Sequence, residues 1–556
     1  MNKSLVDGVV LADNAKDQGA GRALNTVLTR SRRALPITAA AALASLLLAS
    51  CAVGPNFKQP AAPVVNGYTA HPLTPTASTA GVTAGAAQRF SNGGDIPGDW
   101  WTLFHSKPLN ALIKQALQHN PDLKAAQAAL TVAHEDTLAG RGAYAPTISA
   151  GMSATRQQDP PGALAPVPSN NAFLYNLFTP QVSVSYVPDV FGLNRRTVES
   201  LQAQEQAVRF QTIAAQVTLT TNVVAAAVQQ ASLRAQVQAT QQLLDANTKM
   251  LKILRYQMAK GYTGRLGVAA QESQLAQAAA TLPPLRKQLA QQNHLLSVLA
   301  GQFPGQSPTE NFDLASLKLP QDLPVSLPSA LVAQRPDVRQ AEANLHAASA
   351  RVGIAVANRL PNISLTASAG STALAMSQLF KAGTGFWSIG ADIAAPIFQG
   401  GTLLHQQRAA KAAYAEAAAQ YRSTVLTAFQ NVSDTLVALQ QDAAGLSASA
   451  TAADAAKVTL DLSQRQLKDG YASYLTVLSA EQAYQQTQIA LVQAQAARYS
   501  DTAALFQALG GGWWHRADLT NGGSPSTAER QTGTKQVAGS RAVATPADLI
   551  RDTNEK

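Results

Sequence analysis

Cys51 is the sole thiol of the chain, so it can enter neither an intramolecular disulfide nor a cysteine-based metal cluster. The eight histidines are scattered, with no His-Glu-x-x-His, no pair at ligand spacing and no carboxylate cluster repeated in both halves. Gly510-Gly511-Gly512 runs into Trp513 instead of Lys-Ser/Thr, which reads as the end of a helix and not a phosphate loop. Asp189, in "VPDVFGLNRR", is placed to cap a helix that starts just after it. These residues support no catalytic, metal or cofactor chemistry. One reaction is left, acylation of the thiol.

The residues before Cys51 suit that reaction. Arg30, Arg32 and Arg33 precede "ALPITAAAALASLLLAS", about seventeen mostly apolar residues ending in small ones, the layout of a secretory signal. A membrane span needs about twenty apolar residues, and Pro36 interrupts this run, so spanning is the weaker reading. Leu48-Ala49-Ser50-Cys51 resembles a bacterial lipobox: cleavage before Cys51 would leave N-acyl and S-diacylglycerol chains on it. Three chains exceed the two signals that stable anchoring requires. Ala52, where an aspartate would retain a lipoprotein in the inner membrane, points to the outer membrane. The plain alternative is an incidental cysteine beside a signal.

Residues 1–50 then form the leader, and 51–98, rich in Pro, Ala, Thr and Gly, a lipid-anchored linker. Residues 515–556 are polar and Gly/Ser/Thr-rich, the composition of a disordered tail. Only 14% of residues are charged, against roughly 25% in ordinary domains, and Ala and Gln fill the difference. That suits long, closely packed helices with a neutral polar face. Of the formal charge of +10, the leader carries +3, and the remaining +7 is spread along the chain without a basic block interleaved with aromatics. Nucleic-acid binding has no support.

Between the edges the chain repeats itself. Pro121, Asp122, Ala126, Leu130, Pro146 and Ile148 recur 215 positions later as Pro336, Asp337, Ala341, Leu345, Pro361 and Ile363. Further on, Gly261, Tyr262, Leu266, Val268 and Glu272 recur 209 positions later as Gly470, Tyr471, Leu475, Val477 and Glu481. The chain is therefore two tandem units, 99–304 and 305–514.

Each unit opens with an amphipathic helix, roughly 109–143 in the first, where Leu109, Leu112, Ile113, Ala116 and Leu117 fall at helical spacing. Two strands follow, about 146–155 and 180–188, matched by about 361–370 and 387–395. Apolar and small polar residues alternate in them and charge is nearly absent, Asp392 excepted. Such alternation over about ten residues is the pattern of a membrane β-barrel strand; half-buried strands of a soluble sheet are the common alternative. Long helices then run from about Arg195 to Lys260, turn at Gly261-Tyr262, and return from Leu266 to Leu299. Pro283-Pro284 should break or re-start the return helix, whereas Val492 and Gln493 leave its counterpart whole.

Counting sets the topology. Two strands per unit make four, and about eight is the minimum for a closed barrel. An open edge in lipid leaves backbone groups unsatisfied at several kcal/mol each, so membrane-spanning strands require an oligomer. Helices precede and follow each strand pair, so both helical sets lie on one side and the loops, about 156–179 and 371–386, on the other; with a periplasmic body those loops face outside the cell.

Together "CAVGPNFKQP", "DWWTLFHSKPLNALIKQALQHNPDL", "YVPDVFGLNRR", "LPSALVAQRPDVRQAEANLHAASARVGIA" and "ALFQALGGGWW" resemble the outer-membrane lipoproteins of RND-type efflux systems, the NodT-like branch of the TolC-like outer-membrane factor family. The likeness covers most of residues 51–514. It implies a mainly α fold with a membrane β-barrel: a homotrimer with one twelve-stranded barrel on a periplasmic α-helical barrel. It also implies the exit duct of a tripartite pump, passively conducting drugs or other toxic small molecules, with a periplasmic adaptor protein and an inner-membrane RND transporter as partners. In the family the hairpin tips close the duct. The matching residues here are Gly261, Tyr262, Leu266, Gly470, Tyr471, Leu475 and Ser479, with Leu475 at the constriction. Ser479 stands where relatives often place a ring aspartate, with Ala270 in the first repeat; Asp469 or Glu481 are the candidate substitutes. Ordinary hairpin packing is the plain alternative for each tip residue. Two other functions fit less well: a type I protein-secretion duct, and a lipid-tethered helical scaffold without a pore.

Overall fold

The computed structural model describes residues 52–158 apart from 66, 174–306 and 311–520. The leader, Cys51, part of the first strand-to-strand loop and the tail after Thr520 lie outside the described residues. In chain order the elements are β1 (Arg89–Asn92), α1 (Lys107–His119), α2 (Pro121–Arg141), β2 (Thr147–Gln158), β3 (Leu174–Tyr186), α3 (Leu193–Ala259) and α4 (Arg265–Leu299). Then come β4 (Asp322–Val325), α5 (Pro328–Gln334), α6 (Pro336–Ala357), β5 (Asn362–Ser371), β6 (Gly385–Ala394), α7 (Thr402–Lys468) and α8 (Tyr474–Ala508). The duplication is exact in the long helices: α3 and α7 have 67 residues each, α4 and α8 have 35 each. At 1.5 Å per residue, α3 and α7 each reach roughly 100 Å.

The chain divides into two compact units, a sheet built from Tyr144–Arg196 and Val356–Phe398, and a helical body that holds most of the rest. In the sheet, β2, β3, β5 and β6 lie in that order, all antiparallel. The register lines up the alternation seen in sequence across all four strands. Ile148, Val184, Ala367 and Ile389 form one row, and Ala150, Val182, Ala369 and Trp387 the next. On the other face Ser149, Ser183, Ser368 and Ser388 stand in a row, with Ser368 and Ser388 hydrogen-bonded at 2.8 Å. Asp392 pairs with Ser364 on this polar face, so the one charge among the expected strand residues leaves the apolar face unbroken.

In the helical body, an aromatic centre of Trp100, Phe104, Tyr499 and Phe506 is buried, with the Trp100 and Phe506 rings stacked 5.2 Å apart. Along α7 the buried positions are mostly Ala, Val and Leu, including Ala428, Val432, Leu436, Leu439, Ala443 and Leu446. The alanines among them let neighbouring helix backbones approach, and the leucines fill the space between.

Three expectations need correction. The single helix over 109–143 is two, because a residue before proline is pushed out of the helical region. Asn120 sits at φ −60°, ψ 125°, and its side chain caps α2 through the Leu123 amide. Arg335 takes the same conformation before Pro336 in the second unit. Secondly, α4 runs through Pro283 and Pro284 unbroken. Both prolines, and Ala279 and Ala280 whose carbonyls lose a helical donor to them, are on the exposed side, where water can replace the missing donors. Thirdly, much of 51–98 is built into the body and is not a free tether. β1 pairs in parallel with β4, from Arg89 beside Asp322 to Asn92 beside Val325, and Thr76, Gln88 and Ile96 are buried.

Candidate functional site

The two hairpin tips are built alike. At the end of α3 the Gly261 amide donates to Met258 O (3.0 Å) and the Tyr262 amide to Gln257 O (2.9 Å). At the end of α7 Gly470 donates to Leu467 O (3.2 Å) and Tyr471 to Gln466 O (2.8 Å). This closure needs a left-handed residue, and Gly261 and Gly470 have φ of +78° and +79° with open space where a Cβ would stand. Conformation, not crowding, demands glycine here. The pair that sequence singled out as turns are therefore turns for the reason expected.

Tyr262, Leu266, Tyr471 and Leu475 are between 51% and 87% exposed, an apolar surface presented at both tips. Ser479 is exposed one helical turn beyond Leu475, and its hydroxyl donates to Leu475 O at 3.1 Å. Asp469 is exposed at the end of α7. Glu481 is not: it is 5% exposed, and burial raises its pKa. It cannot stand in for an exposed ring carboxylate, because it lies two residues beyond Ser479, roughly 200° around α8, on a buried side of the helix.

That packing is polar. The Tyr474 hydroxyl donates to Gln271 Oε1, and Gln271 Nε2 donates to Asn247 O (2.9 Å) and Oδ1 (2.7 Å). Gln482 Nε2 donates to Gln274 Oε1 at 2.5 Å. Asn247 and Gln271 are fully buried. The Tyr474 ring also packs against Leu251, Leu254 and Val268. The second hairpin is thus held to the first near the tips by amides and one phenol. Sequence singled out none of these partners, since an isolated Gln on a Gln-rich helix carries no signal.

At α8's other end a second polar knot ties the chain's edges to the helices. Arg498 is fully buried and donates to Ala84 O, Ala86 O, Thr76 Oγ1 and Gln88 Oε1 at 2.8–3.2 Å. Gln88 in turn donates to Pro320 O and Thr502 Oγ1. Arg335 forks onto Asp337 (2.9 and 2.6 Å) and donates to Ala508 O, a carbonyl at the end of α8. Gly512 follows with φ +69°, and a Cβ there would lie 2.4 Å from Pro97 O, so chain path and close approach both require glycine. Asp189 caps α3, accepting from the Asn194 and Arg195 amides at 2.9 and 2.8 Å. Cys51 lies outside the described residues, as do the leader and tail. Among the described residues no group of His, Cys, Asp and Glu could hold a metal ion.

This arrangement has exposed apolar tips, neutral polar helices and a sheet with one apolar face. It suits passage and docking. Comparison with known proteins decides its kinship: the model of the outer membrane efflux protein family matches residues 112–302 and 327–511, the two repeats. The chain belongs to that family. Residues are 29% identical over 499 positions to the probable efflux pump outer membrane protein TtgC of Pseudomonas putida, covering 89% of this chain and 98% of that one. The pyoverdine export outer membrane protein OpmQ of Pseudomonas aeruginosa is 30% identical, over 79% of this chain and 94% of its own length. Among solved structures, the outer-membrane channel OprN superposes with a TM-score of 0.74 at 25% identity, covering 83% of this chain and all of that one. VceC of Vibrio cholerae superposes at 0.70 with 28% identity, over 75% and 100%. Family membership places this efflux protein in the outer membrane.

Proposed function

We propose that three copies of this chain form the outer-membrane exit duct of a tripartite efflux pump. The observation that carries the reading is the sheet: β2 and β6 are its edges, each paired on one side only. Its apolar face exposes Ile148 (72%), Trp387 (75%) and Ile389 (79%). In lipid those edges must be paired, and three copies supply twelve strands, enough to close a barrel with serine rows inside and apolar rows outside. The long helices, with neutral Gln, Ser and Thr between small apolar residues, line a periplasmic conduit that holds back few small solutes by charge.

Energy comes from a proton-driven RND transporter in the inner membrane, joined through a periplasmic adaptor, and this chain offers the path and a gate. The exposed tips around Gly261, Tyr262, Leu266, Gly470, Tyr471, Leu475 and Ser479 form that gate and meet the adaptor. Cys51 carries the N-acyl and S-diacylglycerol anchor. Toxic small molecules are the cargo, in keeping with the relatives named for efflux pumps.

Native mass spectrometry of the detergent-extracted protein tests both parts. A trimer whose protomers start at Cys51 and carry lipid mass is expected, with the lipid lost and the leader retained in Cys51→Ala. A stable monomer would leave four strands that cannot close and end the duct reading; an unlipidated wild type would end the anchor reading.

A further inference from the structure

The repeat supplies its own control for one buried group. Glu272 and Glu481 are equivalent positions, 209 apart. Glu272 is exposed and paired with Arg255 at 2.7 Å across the first hairpin. The residue equivalent to Arg255 in the second hairpin is Gln464, so Glu481 has lost its cation. Glu481 is instead buried, and among the described residues its Oε2 has no hydrogen-bond partner.

The groups around it carry no charge to compensate. On its own helix Tyr474 lies near enough to feel its charge, and at this level Tyr474 and Gln482 bond to the neutral amides of Gln271 and Gln274 on α4. Arg255 is turned to Glu272. A carboxylate without a cation or full hydrogen bonding is costly to bury, whereas the neutral acid is not.

We infer that the Glu481 carboxyl is a proton-held latch between the two hairpins, buried as the neutral acid while the tips pack together and ionised when the second hairpin swings away into water. This rests on the proposed gate at the tips. The sign follows from linkage. The packed state binds the proton more tightly than the open one, so it is fully favoured below the ordinary glutamate range. Its advantage falls as pH rises through the raised value of the packed state. Burial alone raises that value, consistent with the absence of a charged neighbour. Each unit of difference between the two states changes the open-to-packed ratio tenfold.

The test uses the purified, reconstituted protein with a trifluoromethylphenylalanine probe in place of exposed Tyr471, read by fluorine NMR from pH 4 to 8. Single-channel conductance of the unprobed protein is recorded over the same range. In the wild type the fluorine signal of the open tip should grow with pH by about tenfold per unit of difference. In Glu481→Gln and in Glu481→Leu it should stay at its low-pH value throughout. Glu272→Gln, which alters the exposed counterpart, should track the wild type. A flat wild type, or a Glu481→Gln profile that still follows the wild type, would overturn the latch. A fluorine transition abolished by Glu481→Gln, with conductance unmoved, would uphold the latch and sink the gate.

Discussion

Arg498 offers the sharpest test of how the body holds its N-terminal segment. Its guanidinium is fully buried and reaches four acceptors, the carbonyls of Ala84 and Ala86 and the side chains of Thr76 and Gln88. Replacing it by Met keeps most of the apolar stem and removes every one of these bonds. Hydrogen bonds to a charged group contribute about 1.5–3 kcal/mol each, and the desolvation cost of the buried cation offsets part of the sum. Removing the cation leaves these neutral acceptors buried and unsatisfied at about 1–3 kcal/mol each, so that, net of the relieved desolvation, a loss of about 3–5 kcal/mol is expected. Gln88 keeps its bonds to Pro320 and Thr502, which favours the lower end. At about 1.4 kcal/mol per tenfold, the loss corresponds to roughly a hundred- to a few-thousand-fold faster opening. Amide hydrogen exchange over residues 74–92 of the assembled protein should show it, with β1 losing protection alongside Thr76 and Gln88. Arg498→Lys, with three donors on a point charge, should fall between. Protection in Arg498→Met within about threefold of wild type would show that the segment is held by β1–β4 pairing and apolar packing, and that the arginine is a bystander.

Arg at Ile148 together with Arg at Ile389 should abolish outer-membrane assembly, since each cation on the apolar row costs about 2–4 kcal/mol at the bilayer midplane; normal assembly, read by membrane fractionation and heat-modifiable gel mobility, would refute the barrel assignment. Burial and the neighbouring Asp501 push the Asp442 carboxyl up to about 7, against the opposing pull of Arg498. Its folded state therefore holds the proton more tightly than the unfolded chain, so its stabilisation is present below about pH 4 and is lost as pH rises through about 7. Asp442→Asn should flatten that part of the melting-temperature profile and raise the melting temperature at pH 8; an unchanged slope between pH 4 and 8 would exclude Asp442 as its source.

Much was legible before the structure because it is written in local periodicity. Alternation in "TISAGMSAT" and around Val182 marks strands, since a strand's side chains alternate faces whatever surrounds it. The equal offsets of Gly261-Tyr262 and Gly470-Tyr471 mark matching turns, since only glycine enters the left-handed region cheaply. The Asn120-Pro121 and Arg335-Pro336 breaks were also readable, because proline constrains its predecessor, but the helical periodicity that runs across them masks the signal.

The rest depended on what surrounds each residue. Prolines 283 and 284 leave α4 whole because their faces are exposed, and exposure is not a property of a dipeptide. Glu481 and Glu272 occupy equivalent positions in near-equivalent sequence, yet one is buried without a cation and the other is paired at the surface. The segment 51–98 reads as a linker because it has no period of its own; Arg498, more than four hundred residues after the Ala84–Gln88 stretch, supplies donors that make that stretch part of the body. Sequence by itself determined the elements, their duplication and the apolar face of the sheet, all of which follow from steric rules acting over a few residues. Only the tertiary structure decided which polar groups are buried together, because desolvation and hydrogen-bond satisfaction are set by neighbours that the chain brings from far away.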